Sequence, residues 1–197
     1  MFQWLKGKQS SVDSQQETIA VGEDQTLVVF VCTANLSRSP MAEAMMRHAV
    51  REFDDYVIAS AGTKSVPGFS PTPEALTVLR TRNYDTSGLQ TSRITQSIVD
   101  RADFIFVMGD VHLKGILQKY PKSAEKMFLL ADLSADPTDR GIDVPDPHEQ
   151  PLSAYLEVYD LLEHLIPRAL TFIEDGLGEE WEEWFAFYRE GDQALGR

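Results

Sequence analysis

Thr26-Leu27-Val28-Val29-Phe30-Val31 is a run of six residues with no charge, four of them β-branched. A strand of this composition has no face to offer to water, so it belongs inside a parallel sheet covered on both sides. The rest of the chain supplies the cover. Pro40 precedes Met41–Val50, a strong helix former with proline placed at a helix start. Val57-Ile58-Ala59 reads as a short strand, and Pro73-Glu74-Ala75-Leu76-Thr77-Val78-Leu79 opens a second helix. A short helix over Ile94–Arg101, a strand at Phe104–Val107, a helix over 110–119 and a strand at Met127–Leu130 follow. Ser153–Glu174 then carries a helical stripe at Leu156, Tyr159, Leu162, Leu165 and Ile166. Strands alternating with helices predict a three-layer α/β/α fold around a small parallel sheet of about four strands. In such sheets ligands bind at the carboxyl ends of the strands. Cys32 stands at one of those ends.

A length of 197 residues suits one hydrophobic core with tails. Residues 1–24, rich in Gln, Ser and Lys, read as a flexible N-terminal arm, although Phe2, Trp4 and Leu5 could dock. Residues 25–176 read as the globular domain, and 177–197 as an acidic, aromatic extension, expected to be helical. In it Trp181, Trp184, Phe185 and Tyr188 share one helical face. That face is expected to dock on its own chain, with a homodimer or partner contact as the alternative.

Eighteen Lys and Arg against 31 Asp and Glu give a formal charge of −13, which argues against a nucleic-acid partner. No apolar run is long enough for a membrane span, and Met1–Gln16 lacks the core of a signal peptide. The expected compartment is therefore the cytoplasm, with no membrane insertion. A single cysteine forbids an internal disulfide. His48, His112, His148 and His164 lack ligand spacing and read as surface or packing residues, so no metal is expected. Nucleotide-binding glycine motifs are absent, no cofactor is expected, and Met41, Met45 and Met46 read as core.

Between the buried strand and the first helix lies Cys32-Thr33-Ala34-Asn35-Leu36-Ser37-Arg38-Ser39-Pro40. Five residues between Cys32 and Arg38 can wrap a tetrahedral oxyanion with their backbone N–H groups, and the helix behind them adds its positive dipole end. Amides of residues 33–38 (Thr33, Ala34, Asn35, Leu36, Ser37, Arg38) are thus the expected phosphate ligands. A thiol beside a guanidinium in such a cradle is favoured as the thiolate, the nucleophilic form. Arg38 can grip two phosphate oxygens with its planar fork, and Ser39 is placed to donate to the sulfur. A buried strand-end cysteine with an unrelated surface arginine is the bland alternative. It loses ground because strand, C-x5-R-S spacing, proline and helix coincide.

The chain resembles the low-molecular-weight protein tyrosine phosphatase family. The resemblance rests on Val31–Glu43, Ser60-Ala61-Gly62-Thr63, Ala102–Met108 and Asp143-Val144-Pro145-Asp146-Pro147, in that order, and covers roughly residues 25–175. It implies a metal-independent phosphomonoester hydrolase that works through a phosphocysteine, with a phosphotyrosine protein as substrate. By resemblance Asp146 is the proton donor, ahead of Asp132, Asp136, Asp139 and Asp143. Asn35, Ser39 and Ser60 match loop-supporting positions, while Leu89 stands where a supporting histidine is usual. Ser37 replaces a second loop cysteine found in many members, so a protective intramolecular disulfide is not expected. Val66 and His148 fall where the family's cleft aromatics lie, with Phe69 a substitute wall. Leu36 resembles the tyrosine-specific members, because the arginine-phosphatase branch has threonine there. Two other classes stay open: an arsenate reductase-like enzyme using an external thiol, and a non-catalytic phosphoprotein-binding module.

Overall fold

The computed structural model describes residues 19–136, 138 and 141–175. Four strands, β1 (Thr26–Cys32), β2 (Tyr56–Gly62), β3 (Phe104–Val107) and β4 (Met127–Leu129), form one sheet in the order β2-β1-β3-β4. All neighbouring pairs are parallel. Five helices accompany them: α1 (Arg38–Ala49), α2 (Pro73–Thr81), α3 (Gln96–Arg101), α4 (Asp110–Lys119) and α5 (Leu152–Asp175).

The β1 sequence feeds two cores at once. Val28, Phe30 and Cys32 join a cluster built with α1, α2 and α5, whereas Leu27, Val29 and Val31 join one built with α3 and α4. Period-2 alternation sends successive side chains to opposite faces, so a strand with both faces covered is apolar throughout. On the first face Phe30, Phe104, Phe106, Phe128 and Phe172 pack ring against ring, with centroid separations from 4.9 Å (Phe128–Phe172) to 6.3 Å (Phe104–Phe106). Met41, Met45 and Met46 lie in the same cluster.

Several boundaries differ from the sequence expectation for local reasons. β2 runs on through Ser60, Ala61 and Gly62, weak strand formers, because they pair with Phe30, Val31 and Cys32 of β1. α1 begins at Arg38, before Pro40, since proline is tolerated in a helix's first turn. α3 begins only after Thr95, whose hydroxyl accepts from the Ile98 amide at 3.3 Å, leaving Ile94 outside. Turns of 3-10 helix at Pro121–Lys126 and Leu130–Leu133 flank β4, and the second of them takes Leu130 out of the strand.

Ile19 and Val21, within the stretch read as an arm, pack against the α3/α4 core, and Arg101 Nη2 donates to the Val21 carbonyl at 3.1 Å. Trp181, Trp184, Phe185, Tyr188, Asp139 and the first part of the arm lie outside the described residues. Among the described residues no helix is long and apolar enough to cross a membrane, and no acidic, histidine or cysteine group is arranged to hold a metal.

Phe106 is fully buried and touches Phe30, Phe128 and Phe172. Phe106→Ala should cost about 3–5 kcal/mol of stability, read as a lowered urea midpoint.

Candidate active site

The strand order places β1 beside β3, and the connections leaving their carboxyl ends run to opposite sides, to β2 and to β4. The crevice at such a switch point is where open α/β sheets bind ligands. Cys32 is the last residue of β1, and residues 33–37 turn directly into α1.

Carbonyl groups of this turn are engaged on its outside. Thr63 N donates to Cys32 O at 3.0 Å, Lys64 N to Thr33 O at 2.8 Å, Thr72 N to Leu36 O at 2.9 Å, and Met41 N to Ser37 O at 3.1 Å. Loop amides are thereby the groups left to meet an anion, and Asn35 N already donates to Cys32 Sγ at 3.3 Å. The turn closes at Asn35, which sits at φ 59° in the left-handed region that asparagine tolerates better than most residues. Gly62 fits against its back. A β-carbon there would lie 2.7 Å from Thr33 O and 2.8 Å from the Ser65 side chain, so the loop needs glycine at this register.

Proton positions follow from one carboxamide. Ser92 N donates to Asn35 Oδ1 at 2.7 Å, which fixes the flip of the amide. Asn35 Nδ2 then donates to Ser39 Oγ at 2.9 Å and to Ser60 Oγ at 2.7 Å. Having accepted from Asn35, Ser39 has its own proton to give, with Cys32 Sγ 2.9 Å away and the Ala61 carbonyl at 3.4 Å. Ser60 passes its proton on to the Glu43 carboxylate, which also pairs with Arg47 one turn along α1. Asn35, Ser39, Glu43 and Ser60 are all buried. Leu89, at the position of the family's usual histidine, is buried in the α1/α2/α5 core. The web here ends instead on Glu43, whose role the sequence reading missed.

Arg38 is buried, donating from Nη1 to Val144 O at 3.2 Å and from Nη2 to Asp146 Oδ2 at 2.5 Å. Its Nε has no partner among the described residues. A buried guanidinium donor left over in this way is suited to an oxyanion, since unsatisfied burial costs free energy. Asp146 has a half-exposed side chain, within reach of a group entering from solvent. Asp143, a rival for the acid role, is committed elsewhere. It accepts from Asp110 N at 2.7 Å and caps α4, and a β-carbon at Gly109 would collide with its carboxylate at 2.4 Å.

Cys32, Thr33, Ala34, Leu36, Ser37, Arg38, Asp146 and His148 line a cleft of about 90 Å³. Of the three side chains expected as cleft walls, the structure brings only His148 to it. Val66 and Phe69 stand on the surface, 65% and 59% exposed, outside this lining. The reason is Thr91, which holds that loop to the neighbouring segment: its Oγ1 donates to Val66 O at 2.6 Å and accepts from Phe69 N at 2.9 Å. His112, read as a surface or packing residue, is buried with Nε2 2.9 Å from Thr33 Oγ1. Burial, and then the Arg38 charge, push its basicity down.

The model of the family described as low molecular weight phosphotyrosine protein phosphatase matches residues 27–178. The chain belongs to this family. Membership makes it a phosphatase of the cysteine-dependent kind. It is 28% identical to a probable low molecular weight protein-tyrosine-phosphatase, EpsP of Ralstonia solanacearum, over 69% of this chain and 88% of that protein. With the protein-arginine-phosphatase of Bacillus subtilis it shares 31% identity over 71% of this chain and 91% of that one. Among solved structures, a cysteine-to-serine mutant of the YwlE arginine phosphatase with a phosphorylated active-site serine superposes with a TM-score of 0.70. That match has 27% identity and covers 77% of this chain and 97% of the other.

Burial is the main cause raising the Glu43 carboxyl above its ordinary value of 4.5, opposed by Arg47 and the Ser60 hydroxyl. A carboxyl held above its unfolded value binds its proton longer in the folded state, so its contribution to stability is lost as pH rises. Glu43→Gln should therefore gain stability relative to the wild type as pH is raised from about 4 towards neutrality. Urea titrations of both proteins at stepped pH check this; a gap that stays constant with pH would count against it.

Proposed function

We propose that the protein hydrolyses phosphotyrosine in protein substrates through a phosphocysteine on Cys32. The observation that carries this reading is the 2.9 Å contact of the Ser39 hydroxyl with the Cys32 sulfur, in a cradle where the carbonyls of Cys32, Thr33, Leu36 and Ser37 are engaged elsewhere and the buried Arg38 Nε has no partner among the described residues.

The cycle has two halves. Cys32 Sγ attacks phosphorus in line, the bond from phosphorus to the tyrosyl oxygen breaks, and Asp146 gives that oxygen its proton. Amides of residues 33–38 and the Arg38 guanidinium hold the three equatorial oxygens, where charge is spread in the transition state. Asp146 then takes a proton from water, water oxygen bonds to phosphorus, and the thiolate leaves. Donation from Ser39 stabilises the thiolate both as nucleophile and as leaving group. Asp146 and the phosphate also compete for the same guanidinium, so an arriving dianion would draw Arg38 away from Asp146 Oδ2 and free the acid to meet the leaving oxygen.

Leu36 is what favours phosphotyrosine over phosphoarginine. It lines the cleft beside Ala34 with an apolar branched side chain, suited to the face of an aromatic ring. His148 offers the one ring among the residues lining that cleft. A reducing compartment such as the cytoplasm suits an enzyme that depends on a free thiolate.

Turnover of a simple aryl phosphate separates this reading from a phosphoprotein-binding module, which needs neither thiol nor acid. Cys32→Ser should abolish hydrolysis, and Asp146→Ala should lower kcat by about 10²–10⁴-fold while leaving inorganic phosphate binding intact or tighter, since a competitor for Arg38 is gone. A serine variant that retains near wild-type rate would refute the assignment. Paired phosphotyrosine and phosphoarginine peptides decide the substrate: kcat/KM should be higher for phosphotyrosine, and a preference for phosphoarginine would overturn that part of the proposal.

A further inference from the structure

His112 is fully enclosed at the first turn of α4, and nothing in the cycle above uses it. As packing alone it is a poor choice. Its Nδ1 is buried with no hydrogen-bond partner among the described residues, a cost that leucine at the same place would avoid. Its Nε2 lies 2.9 Å from the hydroxyl of Thr33, the residue immediately after the nucleophile.

Thr33 is thus held from two sides. Its carbonyl accepts from Lys64 N on the β2 side at 2.8 Å, and its side chain meets His112 on the α4 side. The first turn of α4 is tied to the acid loop as well. Asp143 caps it through Asp110 N at 2.7 Å, Gly109 packs against the Asp143 carboxylate, and Val144 N donates to Met108 O at 2.9 Å just before the helix. Asp146 follows two residues after Val144. One helical turn therefore touches both the loop that bears the sulfur and the loop that bears the proton donor.

We propose that His112 is a positioning residue, which through Thr33 registers the nucleophile loop against the loop carrying Asp146. This rests on the assignment of Cys32 and Asp146 above. Charged groups around the imidazole are Arg38 from α1, and Asp143 and Asp146 from the acid loop. Burial first, and then the Arg38 charge, disfavour the protonated ring, so it works as a neutral donor–acceptor. Either neutral tautomer closes the bond to Thr33, with Nε2–H donating to the hydroxyl oxygen or Nε2 accepting its proton.

The test uses aryl phosphate turnover by His112→Leu, His112→Gln, Thr33→Val and the double variant His112→Leu/Thr33→Val. Leucine fills the volume without the bond, and glutamine can restore a polar atom near the Nε2 position. Misplacing reacting groups by even about 1 Å can cost up to about 10²-fold. His112→Leu should lower kcat by about 10-fold or more within that range, and His112→Gln should recover most of it. Thr33→Val should match His112→Leu, and the double variant should be no worse than either single one. Should His112→Leu fail to fold, Thr33→Val, a near-isosteric change at a partly exposed site, carries the test alone. Wild-type rates in His112→Leu or in a folded Thr33→Val, an unrescued glutamine variant, or additive losses in the double variant would each overturn the proposal. Those failures would leave Cys32-dependent turnover in the wild type, whereas failure of the underlying assignment would leave hydrolysis intact in Cys32→Ser.

Discussion

The site depends on the orientation of the Asn35 side-chain amide. Its oxygen is taken by a backbone N–H from residue 92, which compels its nitrogen to serve two serines. Because Ser39 accepts there, its proton is left for the sulfur at 2.9 Å, nearer than the Ala61 carbonyl at 3.4 Å. Rotating that amide by half a turn would set donor against donor at Ser92 and remove the donor from both hydroxyls. A buried network of this kind is either fully satisfied or expensive. The left-handed backbone at Asn35 and the bare backbone at Gly62 are the steric conditions that let the loop coil tightly enough for the network to close.

The fold brings these parts together by topology. Register between β1 and β2 sets Cys32 opposite Gly62 and Phe30 opposite Ser60, so one ladder delivers the nucleophile, the glycine it needs behind it and a serine of the web. α1 contributes Arg38, Ser39 and Glu43 from its first two turns, all buried. A chain with a net charge of −13 can thus handle an anionic group through one enclosed cation and a set of aligned dipoles, with no help from its overall field.

Much of this was legible in the residues. An uninterrupted apolar strand ending in Cys32, followed by Arg38 at fixed spacing and a proline-led helix, has few physical interpretations, and the sheet and its helices follow from the same alternation. What stayed hidden depends on tertiary pairing. The end of β2 is Ser-Ala-Gly, and only the ladder to β1 makes it a strand. Glu43 looks like any helical glutamate until Ser60 is seen to donate to it. His112 is 79 residues from Thr33, and no spacing rule links them. The place of Val66 and Phe69 also depends on tertiary contacts: buried Thr91 bonds to both their backbones, and their side chains stand exposed.

The central claim is that the phosphoryl group passes through sulfur. Rapid acid quenching of Asp146→Ala during aryl phosphate turnover, followed by peptide mass mapping, tests it most directly. The account predicts a phosphoryl adduct on the peptide containing Cys32, accumulating because water activation is slowed, and absent when Cys32 is replaced. Hydrolysis proceeding with no adduct on that peptide at any quench time, or with the phosphate on another side chain, would contradict it.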